Sequence, residues 1–121
     1  MPSRDWKFRI EDIVEAIDDI SFLVGGMSYE DLCANTTTVK AILYNMAVIG
    51  EAARRVPSDI RMLHPEIPWR EMGDMRNVVI HEYFGIDLQI IWETILHDLP
   101  PLVPLLRSII AEDSKKEYKP M

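Results

Sequence analysis

The residues of this chain that could carry out chemistry lie in one short stretch, GDMRNVVIHEYFG, residues 73–85. Arg76, His81 and Tyr83 stand there in an otherwise apolar helical pattern. Histidine titrates near neutral pH and can move a proton to or from a hydroxyl, and arginine can hold a phosphate and stabilise charge that develops on it. These two roles suffice for metal-free cleavage of RNA, in which the ribose 2′-hydroxyl attacks the adjacent phosphodiester. Because DNA lacks that hydroxyl, such chemistry would spare it.

Helical geometry places Arg76 and His81 on different faces of one predicted helix. At about 100° per residue, Arg76 shares an apolar stripe with Trp69, Met72, Val79 and Tyr83. A cation on that stripe costs desolvation energy unless it is paired, lies at a rim or faces a cleft. His81 lies about 140° around the helix from Arg76. The two side chains can therefore converge only if the helix loosens near Gly85 or if a second copy of the chain brings its own helix alongside.

Simpler interpretations of these residues stay open at this point. A histidine at a helix C-terminus often only complements the helix dipole, and an arginine on a mixed stripe often extends its charged head into water. Asn77 lies one turn before His81 and could orient the imidazole. Glu51, on the preceding long helix, could pair with Arg76, although a pairing with Arg54 or Arg55 one turn further on is the simpler expectation.

The hydrophobic pattern predicts helices throughout the chain. In the first segment the apolar residues step by 3, 4, 3 and 4, as in one stripe of an amphipathic helix; they are Ile10, Ile13, Ile17, Ile20 and Val24. The second long helix has a comparable stripe, which contains Val39, Ile42, Leu43, Met46, Ile49 and Ala53. No stretch combines alternating hydrophobicity with hairpin turns. We therefore predict an all-α, up-and-down bundle of four to five helices with short connections.

Turn and capping residues predict where these helices begin and end. Gly25 and Gly26 end the first helix, and Thr37 or Thr38 caps the second long helix. A third helix covers residues 69–82, and Asp87 caps the next one.

The last helix is expected to end near Ala111, before a polar tail. The chain then forms a single helical domain over residues 1–112, followed by a C-terminal tail over residues 113–121. Tyr44, Met46 and Trp92 are expected in the core or at a dimer interface.

The charge distribution argues against a general nucleic-acid coat protein. The net charge is −7, whereas broad phosphate binding needs a positive surface. Residues 40–81 nevertheless carry six cations, five of them arginine, against five acids. Arginine suits forked recognition of phosphate or carboxylate, so a small local phosphate-binding patch remains possible on an acidic protein.

The remaining composition favours a cytoplasmic protein that needs no metal or cofactor. No apolar run approaches the length of a membrane span, and the N-terminal MPSRDWKFRIED lacks the apolar region of a secretory signal. The single cysteine, Cys33, cannot form an internal disulfide, which fits a reducing compartment. The three histidines and the cysteine show no H-x-x-x-H or C-x-x-C spacing, so a structural zinc site is not expected.

Several strings, taken together and in order, resemble the HepT family. They are IEDIVEAIDDI on the first helix, IGEAARRVP on the second, PW, MRNVVIHEYFGID and DLPPLVPLL, so the similarity covers nearly the whole chain. The family motif R-x4-H-x-Y is present as Arg76, His81 and Tyr83. HepT-like proteins are HEPN-domain ribonuclease toxins encoded beside a minimal nucleotidyltransferase antitoxin.

The resemblance implies a specific function for each motif residue. The protein would be a homodimer in which two copies of the motif face each other, with Arg76 and His81 as the RNA-cleaving pair and Asn77 supporting the site. The partner antitoxin would use ATP to transfer adenylyl groups to Tyr83, as in a type VII-like toxin–antitoxin pair. The substrate would be RNA, with tRNA and mRNA as the candidates, and neither DNA nor a membrane would be a partner.

A different class of function is compatible with the same residues. The chain could be a non-catalytic helical dimer that acts as a nucleotide-binding or scaffold partner of the nucleotidyltransferase, since Arg76 and His81 would also bind ATP phosphates. A third interpretation makes the chain the antitoxin. The net acidity favours these alternatives slightly over RNA cleavage.

Overall fold

A computed structural model describes residues 5–81 and 87–117 of the chain, and these residues form helices joined by short connections. In chain order the helices are α1 (Asp5–Val24), α2 (Tyr29–Cys33), α3 (Thr36–Arg55), α4 (Ser58–Leu63), α5 (Trp69–His81), α6 (Leu88–Glu93) and α7 (Leu102–Glu117). A π-helical segment, Thr94–Asp98, continues α6. Neither described range contains a strand. The predicted all-α class is confirmed, with α1, α3, α5 and α7 as the four long helices.

Helix α3 lies at the centre of the bundle and makes its most extensive contacts with α1 on one side and α5 on the other. Helix α7 packs along α1 in the antiparallel direction. Ion pairs join these two helices, among them Lys7 Nζ with Asp113 Oδ2 at 2.8 Å and Arg107 Nη2 with Asp18 Oδ2 at 3.1 Å.

The stripes predicted for α1 and α3 form the core. Ile10, Ile13, Ile17 and Ile20 are almost completely buried, and so are Ile42 and Ile49 of α3. Fully burying a side chain of this size contributes roughly 1.5–3 kcal/mol, so these residues fix which faces of α1 and α3 meet. Val24 and Val39, at the ends of the two stripes, are only partly buried.

Most predicted helix ends are confirmed, and one cap is wrong. Helix α1 ends before Gly25, and Gly26 has φ +78°, a conformation that glycine adopts without strain. The Asp87 carboxylate accepts hydrogen bonds from the backbone of residues 89 and 90. The N-cap of α3 is Asn35, whose Oδ1 accepts from the backbone N–H of Thr38 at 2.9 Å. The predicted caps Thr37 and Thr38 therefore lie inside the helix.

The last helix extends beyond the end predicted for it. Helix α7 continues past Ala111 to Glu117, so much of the stretch expected as a tail is helical. The division at residue 112 between domain and tail stays a prediction. No helix within the described ranges is long and apolar enough to cross a membrane.

Candidate active site

The start of α5 is fixed by a tryptophan. Trp69 is buried at the first position of the helix, and its indole Nε1–H donates a hydrogen bond to the carbonyl of His64 at 2.9 Å. Met72, one turn further on, is also buried. These two residues hold the first turns of α5 in the core and thereby determine which face of the helix Arg76 occupies.

Helix α5 approaches α3 most closely where Gly50 meets Arg76. A Cβ placed on Gly50 would lie 2.7 Å from the backbone nitrogen of Arg76 and 2.8 Å from its Cβ. Such distances are not tolerated between real atoms, so only glycine fits at this position without a shift of the backbone. Gly50 therefore allows the Arg76 segment of α5 to lie directly against α3.

The next residue of α3, Glu51, pairs with arginines of both helices. Its Oε2 lies 2.9 Å from Arg76 Nε, and its Oε1 accepts a hydrogen bond from Arg55 Nε at 3.1 Å. Both pairings considered from the sequence therefore occur, with Arg55 as the partner on α3. Arg54 instead donates from Nε to the carbonyl of Gly73 at 3.1 Å, which adds a second polar link between α3 and α5.

Arg76 meets all three conditions under which a cation is tolerated on an apolar stripe. It is paired with Glu51, it lies at a rim with 40% of its side chain exposed, and it lines an open groove of about 360 Å³. The groove also contains side chains from α1 and α3: Arg9, Asp12, Tyr44, Ala47, Val48, Ala52 and Arg55. An anion entering the groove would therefore contact the half-exposed guanidinium of Arg76.

The other motif residues are described less fully than Arg76. Asn77 follows it on α5 and is half-buried. His81 is the last residue of α5. The structure describes its backbone and not its side chain. Tyr83 and Gly85 lie outside the described residues altogether.

The unbroken helix from Arg76 to His81 keeps these two residues on different faces. Five α-helical steps rotate the chain by about 140° and advance it by about 7.5 Å. The backbone of α5 therefore places Arg76 and His81 on different sides of the helix axis. Convergence through a second copy of the chain stays a prediction.

The structure adds two site residues that the sequence did not indicate, Gly50 and Arg9, and it places Tyr44 in the groove as a third. Gly50 lies in the middle of an amphipathic helix, where glycine costs about 1 kcal/mol relative to alanine, and that cost was the available signal of a close contact. Arg9 lines the groove from α1. Tyr44 is 70% exposed in the same groove, so it is not a core residue.

Met46, by contrast, is a core residue. Trp92 is half-buried, with the centre of its ring 6.2 Å from that of Tyr29.

Comparison with known proteins places this chain among ribonucleases. The family model described as "Ribonuclease HepT-like" matches residues 13–109. The chain is 42% identical over 99 residues to "Probable ribonuclease HepT" of Thermococcus cleftensis, covering 82% of this chain and 90% of the relative. It is 38% identical over 117 residues to "Putative RNase MJ1216" of Methanocaldococcus jannaschii, covering 97% of each.

A relative from a third organism shows a similar degree of likeness. "Putative RNase TTE0752" of Caldanaerobacter subterraneus is 35% identical over 104 residues, which cover 86% of this chain and 93% of the relative. No solved structure matches the chain significantly. The chain belongs to the HepT-like ribonuclease family, and the predicted enzyme class, a ribonuclease, is confirmed at that level.

Proposed function

We propose that this protein is a metal-independent endoribonuclease, the toxin of a type VII-like toxin–antitoxin pair, with Arg76 and His81 as its catalytic residues. The observation that carries the proposal is the placement of Arg76, which is held by Glu51 and Gly50 at the rim of an open groove. Membership in the HepT-like ribonuclease family supports the same reading. Asn77, next to Arg76, would support the site.

The proposed reaction is an internal transfer of the phosphodiester. His81 removes the proton from a ribose 2′-hydroxyl, the 2′-oxygen forms a bond to phosphorus, and the bond from phosphorus to the 5′-oxygen breaks. The leaving 5′-oxygen takes up a proton, so the products carry a 2′,3′-cyclic phosphate and a 5′-hydroxyl. Arg76 stabilises the negative charge that develops on the phosphoryl oxygens.

A homodimer would complete this site. Arg76 and His81 are separated by about 140° around the backbone of an unbroken helix, which favours a site that is shared between two copies of the chain. A second copy that presents its own α5 helix could supply the missing residue from across the cleft. The substrate would be a cytoplasmic RNA, with tRNA and mRNA as the candidates.

Neutralisation would act on Tyr83, two residues beyond His81. A minimal nucleotidyltransferase would bind ATP, the tyrosine oxygen would attack the α-phosphate, and pyrophosphate would leave. The adenylyl group would add a negative charge and a bulky base two residues along the chain from His81. Both features would oppose the entry of an RNA phosphate.

The rival function is a nucleotide-binding or scaffold subunit for the nucleotidyltransferase. Its support is the same arginine-lined groove, because a guanidinium binds the phosphates of ATP as readily as those of RNA. The net charge of −7 also agrees with a partner other than RNA.

An RNA and a DNA of the same sequence distinguish the two functions. The proposed enzyme cuts the RNA, leaves 2′,3′-cyclic phosphate ends and does not cut the DNA. A nucleotide-binding subunit cuts neither and instead binds labelled ATP. Mass analysis of the peptide that carries Tyr83 must first show that the sample is unmodified, since an adenylylated ribonuclease would leave RNA intact and would resemble a non-catalytic subunit.

A further inference from the structure

Tyr44 is an exposed aromatic residue at the edge of the groove that contains Arg76. It lies on α3 with 70% of its surface exposed, although tyrosine is a large and mostly apolar side chain. It precedes Glu51 by two helical turns, which places the two residues on the same face of α3 and about 10 Å apart along its axis. A span of about 10 Å accommodates about three stacked nucleotides at 3.4 Å each.

The groove carries a surplus of positive charge on a negatively charged protein. Among the residues whose side chains the structure describes, three arginines line it, Arg9, Arg55 and Arg76, against two carboxylates, Asp12 and Glu51, so these residues carry a local charge of +1. The single carboxylate of Glu51 is shared between two guanidinium groups. One of these positive charges is therefore left to attract a phosphate.

A second recess next to the groove has the opposite charge. It is lined by the carboxylates of Asp12, Glu15 and Asp19, and Tyr44 stands at its border with the groove. These carboxylates repel phosphates. A nucleic-acid strand bound in the arginine-lined groove would therefore not extend past Tyr44 into the recess, because its phosphates would be repelled there.

We infer that Tyr44 stacks on a base of single-stranded RNA whose phosphates are bound by Arg9, Arg55 and Arg76. Aromatic side chains beside a positive groove bind single strands in this way, since every base has a face on which a ring can stack. The inference rests on the proposed ribonuclease function and assigns that function a substrate-binding residue. It commits to an unpaired RNA segment, because bases in a duplex do not expose their faces.

The test measures the binding of a fluorescein-labelled single-stranded RNA by anisotropy. The RNA carries 2′-O-methyl groups throughout, so that it cannot be cut, and the full-length protein is used. Tyr44→Ala is expected to weaken the affinity about 5- to 150-fold, the loss associated with one stacked base. Tyr44→Phe and Tyr44→Trp, which keep an aromatic face, are expected to stay within about threefold of the parent.

Phe22→Ala is the matched control for the loss of an exposed aromatic side chain. Phe22 is 87% exposed on α1 and does not line the groove, so its replacement should leave RNA affinity unchanged. The salt dependence gives a second readout. Arg9→Gln should reduce the slope of log affinity against log salt by about 0.7, the value for one phosphate contact on a single strand. Arg107→Gln, an exposed and ion-paired arginine outside the groove, should not change the slope.

Two results would overturn the inference while leaving the ribonuclease function in place. One is a Tyr44→Ala protein that binds RNA as tightly as the parent. The other is a Tyr44→Ala protein that dissociates into monomers by light scattering, which would assign Tyr44 to a contact between copies of the chain. A parent protein that binds no RNA would instead overturn the proposed function together with this inference.

Discussion

Gly50 of α3 lies so close to Arg76 of α5 that a Cβ on the glycine would come within 2.7 Å of the arginine's backbone nitrogen. This contact brings Glu51, the next residue of α3, to 2.9 Å from the Arg76 guanidinium. The position of the proposed catalytic arginine thus depends on the absence of a side chain in the neighbouring helix.

Gly50→Ala should destabilise the protein and displace Arg76. Overpacking a tight contact costs about 1–3 kcal/mol, and the better helix propensity of alanine recovers up to about 1 kcal/mol. We therefore expect a net loss of up to about 2 kcal/mol in the free energy of unfolding, measured in urea, together with a lower rate of RNA cleavage.

Gly73→Ala is the matched control on α5. A Cβ on Gly73 would meet the Arg54 side chain at 3.2 Å, and a flexible side chain can move aside more cheaply than a helix backbone. Its stability should change less than that of Gly50→Ala. Equal losses in the free energy of unfolding for the two variants would contradict the claim that the Gly50 contact requires glycine.

Glu51→Gln should lower the rate of RNA cleavage with little effect on stability. The Glu51–Arg76 pair is 43% and 40% exposed, and exposed pairs contribute only about 0–1 kcal/mol to folding. Its loss would free the arginine to adopt other rotamers, so kcat should fall several-fold. The affinity for RNA should not fall, because the substitution removes a negative charge from the groove. Glu93→Gln, which loses a pairing with His97 elsewhere, is the control, and an unchanged kcat in Glu51→Gln would exclude a positioning role.

Tyr83→Phe should cut RNA at close to the parent rate and escape neutralisation. Phenylalanine lacks the oxygen to which an adenylyl group would be attached, while its ring has nearly the same shape. Incubation with the nucleotidyltransferase and ATP, followed by intact-mass analysis, measures the modification. Tyr44→Phe serves as the control and should still gain the adenylyl mass. If Tyr83→Phe also gained it, the acceptor would be another residue.

Asn35→Ala should destabilise the protein by about 1 kcal/mol, the usual contribution of an N-cap side chain. Its Oδ1 accepts the Thr38 backbone hydrogen bond at the start of α3. Thr37→Ala, an exposed change inside the same first turn, should be nearly neutral. Urea unfolding of the two variants checks this prediction. A larger loss of stability in Thr37→Ala would contradict Asn35 as the cap and support Thr37, one of the two caps predicted from the sequence.

The helical stripes were predictable because burial alone determines them. Ile10, Ile13, Ile17 and Ile20 recur at the helical period and are buried in the structure. The cap of α3 was harder, since Asn35 precedes a run of three threonines and each of these residue types can accept the capping hydrogen bond. The end of α7 was missed because polar residues can continue a helix without contributing to the core.

The relationship between α3 and α5 was not predictable from either helix alone. From the sequence, Glu51 could pair within α3 or with a residue of α5. In the structure it pairs with Arg55 of α3 and also with Arg76 of α5. The groove depends on the same helix packing, which brings Arg9 and Tyr44 toward Arg76 from α1 and α3. Pairings between elements follow from their separation, and local sequence patterns do not specify that separation.

The most direct test of the proposed function is an RNA cleavage assay in EDTA. Unmodified parent protein is compared with Arg76→Ala and His81→Ala, each shown to be helical by circular dichroism. We predict discrete fragments with 2′,3′-cyclic phosphate ends from the parent and intact RNA from both variants. Cleavage by a folded His81→Ala protein, or parent activity that disappears in EDTA and returns with added Mg²⁺, would contradict the proposed mechanism.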